Sequence, residues 1–428
     1  MSATTGQSRY TRLTQAQVDA ICQKHERLKA MKPGGARAVF AWMDVSGLDF
    51  RGRDLRDADF TAAIMVGADV SGALLDQSNL YCVDMQMANL TRASLRRTDL
   101  RGACLRGANL ADVDLFEADL REGALALPDK AAGLAYVEVS TRVSDAGFTN
   151  LRGANLERSK LSGIQAMKAD FTDAILKSCK LVRANLKQAI MDNCDLSGAD
   201  MSGCDVSGAS LKDAVMIGTK TESWNASQTN LSGVLTEKAA GTDVSRLPYD
   251  EMIRDHAEWV DSVGKAGKPS AFDKADLRAL KSIKGLNLAA LSAKGAVFYG
   301  LDMRGIQLQG AHLEGADLRN CDLSGADLRG AQMKGVRMDG ANLEGANIGP
   351  LKLSGDRLFP ADLREARIRG ANLQRADLRQ ARLDGADLSR SDLDKAQMTL
   401  ESLVNVVCVG LKGKIAEKQK SLTTDTHG

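Results

Sequence analysis

Large apolar residues recur at every fifth position over most of the chain, and a small residue recurs two positions before each of them. Leu95 and Leu100 illustrate the spacing, with Ala93 and Thr98 at the small positions. An α-helix repeats every ~3.6 residues and a strand every ~2, so neither explains this period. A five-residue unit does fit one side of a square coil in which the large and the small residue both point inward. The pattern therefore predicts an all-β solenoid whose turns of about 20 residues stack as parallel strands about 4.8 Å apart.

The small residue is most often Ala, the next residue is Asp or Asn, and the large residue is most often Leu. Examples are the triplets at 154–156 (Ala-Asn-Leu), 326–328 and 386–388 (both Ala-Asp-Leu). This unit resembles the A(D/N)LXX consensus of the bacterial pentapeptide-repeat family, and the resemblance covers most of the chain. It implies a right-handed quadrilateral parallel β-helix in two main blocks, with short α-helical caps and a helical linker.

Departures from the period divide the chain. We expect the regular coils of the first solenoid to end near Gly218, because Trp224 occupies a small inward position that it cannot fill. The interruption inside this solenoid is short and contains Pro128, which predicts a loop excursion or a cap remnant with a nearly continuous solenoid on either side. The predicted parts are a helical cap (1–44), a first solenoid (45–235, interrupted near 126–147), a helical linker or cap (236–285), a second solenoid (286–400) and a C-terminal cap and tail (401–428).

Two amphipathic segments precede the two blocks of repeats. Thr14 and Gln17 form a capping-box pattern, and the apolar face that follows includes His25. Pro248 opens the second segment, whose apolar face includes His256. Because parallel turns expose unpaired backbone at each end, both segments are predicted to be capping helices, with the histidines packed against the cap. Such a helix before a Gly-rich stretch is similar to what precedes repeats in other bacterial members, so we interpret the chain as a duplicated unit of helix plus solenoid.

Charge excludes some functions. The chain has 57 Lys and Arg against 55 Asp and Glu, a formal net charge of +2, which favours neither direct nucleic-acid binding nor nucleic-acid mimicry. The N-terminus lacks the apolar core of a signal peptide. No run of about 18 apolar residues occurs. We therefore expect a cytoplasmic protein without a membrane span.

Four of the eight cysteines fall at the small inward position of the repeat, where a reduced, buried thiol fits well. No Cys-x-x-Cys pair and no pair of His with ligand spacing occurs. The sequence therefore predicts no disulfide, no metal and no cofactor. The four cysteines are Cys179, Cys194, Cys204 and Cys321.

No catalytic constellation stands out, because most Asp residues directly precede a large inward residue, where their side chains can bond to the turn. The repeat breaks within residues 349–360, where Leu351 and Asp356 occupy positions that should hold Ala-sized side chains. A local departure from the logic of the fold can mark function. Two interpretations of this break remain open, a bulged coil and a pocket for an enzyme site.

Residues that directly follow a large inward residue should face solvent. Tyr299 and Phe359 occupy such positions 60 residues apart, which would place them on one face, three turns apart. Arg319 and Arg379 would lie on that face too. Because aromatic residues interleaved with Arg are typical of binding hot spots, these four residues are the predicted partner-binding face.

These patterns favour a non-enzymatic scaffold or adaptor that binds a protein partner through a rigid surface. The resemblance supplies an alternative, since some pentapeptide-repeat proteins are gyrase-binding DNA mimics, although those rely on a strongly acidic rod. A third interpretation is an enzyme with a site near residues 350–360. The resemblance also implies a homodimer contact through the apolar C-terminal segment, residues 399–422, because the gyrase-protecting members dimerise through that end.

Overall fold

The computed structural model describes residues 10–128, 137–237, 248–353, 357–408 and 410–414. The chain divides into two compact units, Met1–Ala240 and Gly241–Gly428. In each unit one α-helix precedes a right-handed quadrilateral parallel β-helix. The helices are α1 (Gln15–Lys29) and α2 (Tyr249–Asp261), and the strands are β1 (Thr11–Arg12), β2 (Met43–Asp44), β3 (Gly123–Pro128), β4 (Val137–Arg142), β5 (Leu351–Lys352) and β6 (Leu358–Phe359).

The coil is built from single parallel bridges, one on each side of each turn. Four ladders of bridges run along the first unit, and each ladder links positions 20 apart, as Asp59 is linked to Asn79 and Asn79 to Asp99. Short hydrogen bonds join successive turns of the coil. For example, the Leu80 amide donates to the Asp99 carbonyl at 2.8 Å. The predicted turn of four five-residue units is therefore confirmed.

The inward positions form a dry core that runs the length of each coil. Leu95, Leu100 and Leu343 are 0% exposed, and the small position of Ala93 is 1% exposed. Burying each large side chain stabilises the fold by roughly 1.5–3 kcal/mol. The widest side chains lie under α1, where the rings of Phe40 and Phe60 stack with centroids 4.9 Å apart.

The helices cap the coils as predicted. The Thr14 hydroxyl accepts a hydrogen bond from the Gln17 amide, and the Gln17 side chain accepts one from the Thr14 amide, which completes the capping box. His25 lies on the buried face of α1. Its Nδ1 accepts from the Ala38 amide at 3.0 Å, and its Nε2 lies 2.9 Å from the Arg56 carbonyl.

The second helix repeats this arrangement. The Nδ1 of His256 accepts from the Ser270 amide at 3.1 Å, and its Nε2 lies 3.3 Å from the Ala289 carbonyl. In each unit the imidazole therefore connects the helix to the chain that enters the first coil and to the coil itself. An imidazole that accepts at Nδ1 and donates at Nε2 is neutral.

The interruption of the first solenoid is an antiparallel hairpin, in which β3 pairs with β4 from Gly123–Arg142 to Pro128–Val137. The coil resumes directly on the turn below, since Cys104 bridges Asp145 and Asn109 bridges Asn150. These bridges span 41 positions instead of 20, so 21 residues leave the coil. The prediction of an excursion with a nearly continuous solenoid on both sides is confirmed.

Regular coils do not end near Gly218, and that prediction is wrong. The bridges continue from Ser210–Asn230 to Val215–Leu235. Trp224 is accommodated because it belongs to the last described turn of the first unit, whose inward positions are only partly buried. Its side chain packs against the end of the core instead of filling a narrow interior.

The second solenoid extends further than residues 286–400 in both directions. Its bridges begin with Ala271–Ser292 and continue to Asp392–Lys412, after a 3₁₀ turn at Leu400–Leu403. The turns before and after the break near residue 350 are joined by the bridge Gln332–Asp362, which spans 30 positions. Ten residues therefore leave this coil. Residues 409 and 415–422 of the predicted C-terminal dimer segment lie outside the described residues, as does Asp356.

Candidate functional site

Both units break their repeat in the same way. Each break is an antiparallel hairpin that leaves the coil three positions after a large inward residue, after Leu120 in the first unit and after Ile348 in the second. We call β3 and β4 the first hairpin, and β5 and β6 the second hairpin. Beside each hairpin the surface forms a cleft, and arginines from different turns line both clefts.

The first hairpin is fastened to the coil at its base. The Tyr81 hydroxyl donates to the Ala124 carbonyl at 2.8 Å and accepts from the Ala124 amide at 2.6 Å. Leu125, only 5% exposed, packs with Ala62 and Cys82 in a small core of its own. These contacts hold the start of the hairpin against the face that carries Tyr81.

The first cleft has a volume of about 690 Å³. Its polar lining includes Arg101, Arg121 and Arg183, and Val143 and Val182 contribute apolar surface. Lys160 and Lys180 lie on the next two turns of the coil, on the face that carries Asp119. Among the described residues that line the cleft, three are arginines and one, Glu122, is a carboxylate.

Local ion pairs fix two of these arginines. Arg101 binds Asp99 and Arg121 binds Asp119, each with 2.7 Å between Nη2 and Oδ2. The Arg101 guanidinium also lies 5.1 Å from the centre of the Tyr81 ring. Although burial opposes ionisation of Asp119, hydrogen bonds from Arg121 hold the pKa of this carboxyl below its usual value. The same bonds raise the pKa of Arg121, so both groups stay charged and oriented near neutral pH.

The second hairpin lies flat on its coil because Gly330 beneath it has no side chain. A Cβ at Gly330 would come within 2.7 Å of the Leu351 Cβ and 3.2 Å of the Phe359 carbonyl oxygen. The upper side of the hairpin is apolar and open to solvent. Leu353, Leu358 and Phe359 are 44%, 49% and 40% exposed.

The second cleft, of about 340 Å³, lies beside this hairpin. Arg329 and Arg379 line it together with Asn347 and Pro350. Arg329 binds Asp327 and Arg379 binds its neighbour Asp377, each at 2.6 Å. The two clefts therefore share one design, in which two arginines on one face, each held by an aspartate, lie beside a hairpin. The arginines are on successive turns in the first cleft and two turns apart in the second.

The structure separates the four residues of the predicted binding face. Tyr299 and Arg319 belong to the ladder that links Val297 and Asp317, whereas Arg379 belongs to the ladder of Gln307 and Asp377. These ladders lie two sides apart on a four-sided coil, so they occupy opposite faces. The ten residues that leave the coil near residue 350 cause this half-turn shift. Phe359 and Arg379 remain on one side, next to the second cleft.

Arg319 is not the solvent-facing residue that the sequence predicted. It is 5% exposed, and its guanidinium binds Asp317 with 2.5 Å between Nη2 and Oδ2. It also lies 5.9 Å from the centre of the Tyr299 ring, whose hydroxyl accepts a hydrogen bond from the Asn320 side chain at 2.9 Å. Tyr299 and Arg319 are thus held by neighbouring side chains on their own face.

The pairing of Asp with the Arg two positions later recurs through both units. In each pair the Asp precedes a large inward residue and the Arg follows it, so both side chains lie on the outer surface of one rung. Ten such pairs occur in the described ranges, with Nη2–Oδ2 distances of 2.5 to 2.7 Å. They are 49–51, 54–56, 99–101, 119–121, 276–278, 302–304, 317–319, 327–329, 362–364 and 377–379. Each pair neutralises a carboxylate that would otherwise make the rod acidic.

Comparison with known families agrees with this architecture. The sequence profile of pentapeptide repeats matches eight copies, among them those at residues 36–72, 66–97, 93–125, 149–188, 179–216, 306–345 and 361–399. The chain belongs to the pentapeptide-repeat family. The matched ranges stop at both hairpins and resume after them, so each hairpin is an insertion into an otherwise regular pentapeptide-repeat coil.

Solved structures that match this chain include several pentapeptide-repeat proteins. HetL, involved in heterocyst differentiation regulation in the cyanobacterium Nostoc sp. strain PCC 7120, is 21% identical over 82% of this chain and 90% of its own, with a TM-score of 0.18. The plasmid-mediated fluoroquinolone resistance protein QnrB1 is 19% identical over 47% of this chain and 92% of its own, with a TM-score of 0.23. Rfr23 from the cyanobacterium Cyanothece 51142 is 26% identical over 31% of this chain and 86% of its own, with a TM-score of 0.22. No curated protein matches the sequence.

Sequence reasoning missed the first cleft. Tyr81 directly follows the inward Leu80, a position that predicts exposure to solvent, but its role in fastening a hairpin depends on a partner 43 positions later. A signal was present, because Asp-Leu-Arg occurs at 99–101 and again at 119–121, directly before the break. In the described part of the chain neither helix has the length and hydrophobicity needed to cross a membrane.

Proposed function

We propose that this protein is a non-enzymatic interaction scaffold that binds a protein partner through the two hairpin-flanked arginine clefts. The observation that carries the proposal is the repeated design. Both units interrupt a regular coil with a hairpin, and beside each interruption two arginines on one face of the coil are held in place by aspartates. Nothing in the coil itself requires either interruption, since the stacking resumes directly behind each one.

The clefts suit a segment that presents a carboxylate beside an aliphatic side chain. Arginine presents a planar fork of donors that matches a carboxylate, and a guanidinium already oriented by an ion pair loses little side-chain freedom on binding. In the first cleft the valines beside these arginines offer apolar contact. Nucleic acid fits less well, because a phosphate backbone would meet the Asp99 and Asp119 carboxylates on the same rungs.

The Asp–Arg pairs count against the gyrase-binding alternative. A DNA mimic needs an extended array of uncompensated negative charge, and here ten outer carboxylates in the described ranges are each paired with an arginine two positions later. They also bear on the enzyme alternative near residues 350–360. Asp377, the carboxylate lining the second cleft, is engaged by Arg379 at 2.6 Å, an arrangement that orients a binding group instead of freeing a general base.

The test is a cross-linking pull-down with mass spectrometry that compares the intact chain with two deletions. Removing residues 123–143 joins Glu122 to Ser144, and removing residues 351–360 joins Pro350 to Ala361. Each deletion restores the 20-residue step between bridged positions, so both variants should keep their coils. We expect the intact chain to capture an acidic partner that one or both deletions lose.

Point variants separate the clefts from the rest of the surface. Arg101→Ala with Arg121→Ala removes the arginines of the first cleft, whereas Arg51→Ala with Arg56→Ala removes two matched pairs elsewhere. Loss of the partner in the first double variant only would support the proposal. Capture that survives both deletions would refute it, and gyrase as the captured protein would favour the mimic instead.

A further inference from the structure

An exposed apolar ridge runs along one corner of the first unit. Met87, Phe148 and Met167 are 70%, 49% and 39% exposed. Met87 and Phe148 occupy the same corner position on turns two rungs apart, with Gly107 on the turn between them, and Met167 directly precedes the corner residue of the next turn. We call these three residues the corner ridge.

The corner position disfavours a large side chain, which makes Phe148 conspicuous. Residues there have positive φ, and Gly107 on the turn below has a φ of 66°. Phe148 adopts a φ of 58°, a conformation that a bulky residue enters only at a cost in free energy. Met87 lies over Gly107, since a Cβ on that glycine would come within 2.6 Å of the Met87 Sδ. The ridge is therefore a nearly continuous apolar strip, retained where glycine would be more stable.

Two positively charged side chains lie against the Phe148 ring of the ridge. The Arg106 guanidinium lies 4.9 Å from the centre of the Phe148 ring, and the Lys168 ammonium lies 5.5 Å from it. Arg106 also forms a loose ion pair with Asp145, at 3.6 Å. An exposed aromatic ring between two cations, next to two methionines, combines adaptable apolar contact with a preference for negative charge.

We infer that the corner ridge docks an amphipathic helix of a partner protein, with its apolar face on Met87 and Phe148 and acidic residues beside Arg106 and Lys168. Met87 and Phe148 lie two turns apart, which corresponds to a distance of about 10 Å along the coil. Residues seven positions apart on an α-helix are separated by about 10.5 Å along its axis. The spacing therefore matches apolar anchors at positions i and i+7 of the bound helix.

This surface is distinct from the first cleft. The cleft lies on the face of Asp99 and Asp119 and reaches Gln165 at the start of the neighbouring face. The ridge lies at the corner that ends this neighbouring face, and the two surfaces share no residue. The inference does not depend on the proposed function of the clefts, and the experiment below can fail while the hairpin deletions succeed, or succeed while they fail.

The probe is a randomised 20-residue peptide library displayed on phage and selected against the full chain. Selected peptides are then titrated against the intact chain and against Phe148→Gly. Glycine suits the positive φ of this corner, so the variant should fold at least as stably as the intact chain while lacking the ring. We expect it to bind the peptides roughly 30-fold more weakly, the loss typical of a hot-spot residue.

Lys168→Glu should weaken binding of the same peptides, and replacing their acidic residues by Lys should restore binding to that variant. Phe116→Ser is the matched control, because Phe116 also lies against an arginine, with Arg96 at 4.5 Å, but on another face. The inference is overturned if Phe148→Gly binds as tightly as the intact chain, if the peptides bind without becoming helical by circular dichroism, or if sedimentation shows that the ridge pairs with a second copy of this chain.

Discussion

Replacing His25 by Ala should release helix α1 from the first coil while leaving the solenoid folded. The imidazole accepts a hydrogen bond from the buried Ala38 amide and lies within hydrogen-bond distance of the Arg56 carbonyl. Without it the amide loses its acceptor in a buried place, which costs about 1–3 kcal/mol. A cost of about 2 kcal/mol corresponds to a roughly 30-fold larger population of the undocked helix.

The same contact predicts a dependence on pH. Burial lowers the pKa of His25 and of His256 below the ordinary value for histidine. The unfolded chain therefore binds the proton more readily than the folded one. The stability contributed by each neutral imidazole should be complete above about pH 6.5 and should decline as the pH falls below it. Protonation at Nδ1 would remove the acceptor that the Ala38 or Ser270 amide requires.

Hydrogen exchange read by mass spectrometry measures both effects. At pH 7.5 the amides of α1 should exchange roughly 30-fold faster in His25→Ala than in the intact chain, with unchanged exchange in the coil. His256→Ala should have the corresponding effect on α2, because its contacts lie within the second unit. His312→Ala is the control, since its side chain is 47% exposed. Unchanged protection of α1 in His25→Ala would refute the role assigned to this residue.

Three further predictions concern the coil. Gly330→Ala should displace the second hairpin and expose it to proteolysis. Gly335→Ala is the control, because Gly335 has nearly the same φ and a Cβ there would have no neighbour within 4 Å. Equal cleavage of the two variants would contradict this account. Leu95→Ala removes a fully buried side chain and should destabilise the coil by about 2–5 kcal/mol, measured as a lower midpoint of urea unfolding. Burial raises the pKa of Cys204 to about 12, so this thiol should resist maleimide at pH 7.5 until the chain is denatured; prompt labelling of the native protein would show that it is not buried.

The sequence predicted the coil well because the coil's energetics are local and repetitive. Every fifth residue must be large and the residue two before it must be small, since the interior is narrow and closely packed. The histidine helices were predicted for a related reason. An apolar stripe with 3.6-residue spacing before each block needed a buried surface to cover, and the end of a parallel coil offers one.

The two hairpins differ in how clearly the five-residue period of the sequence reveals them. The first removes 21 residues from the coil, which is not a multiple of five, so the period of the inward residues shifts across it. The second removes ten, which is a multiple of five, so the period passes through the break unchanged. The face of every later residue then moves by half a turn without any trace in the spacing. This is why Tyr299 and Phe359 were predicted to share a face.

Arg319 and Trp224 show the second limit of the sequence pattern. The pattern predicts whether a side chain points into the coil or away from it. The solvent exposure of that side chain also depends on which neighbouring residues pack against it. Arg319 points outward and is nevertheless buried, held by Asp317. Trp224 points inward and is nevertheless accommodated, because it lies in the last described turn of its unit. Neither outcome follows from the residue's position within its own five-residue unit.

A coil of this kind separates the residues that specify the fold from those that can specify a partner. Inward positions are constrained at every rung, whereas the outward positions and the corners can change without disturbing the core. The Asp–Arg pairs occupy such outward positions, and their charges favour recognition of a protein partner over mimicry of DNA. A pair cancels the long-range field of its carboxylate, which a DNA mimic would need, but it leaves the guanidinium oriented for a short-range contact. Arg101 and Arg121, beside the first hairpin, should therefore contribute mainly to the lifetime of a complex, and an association rate that changes little with added salt would be the kinetic sign of that arrangement.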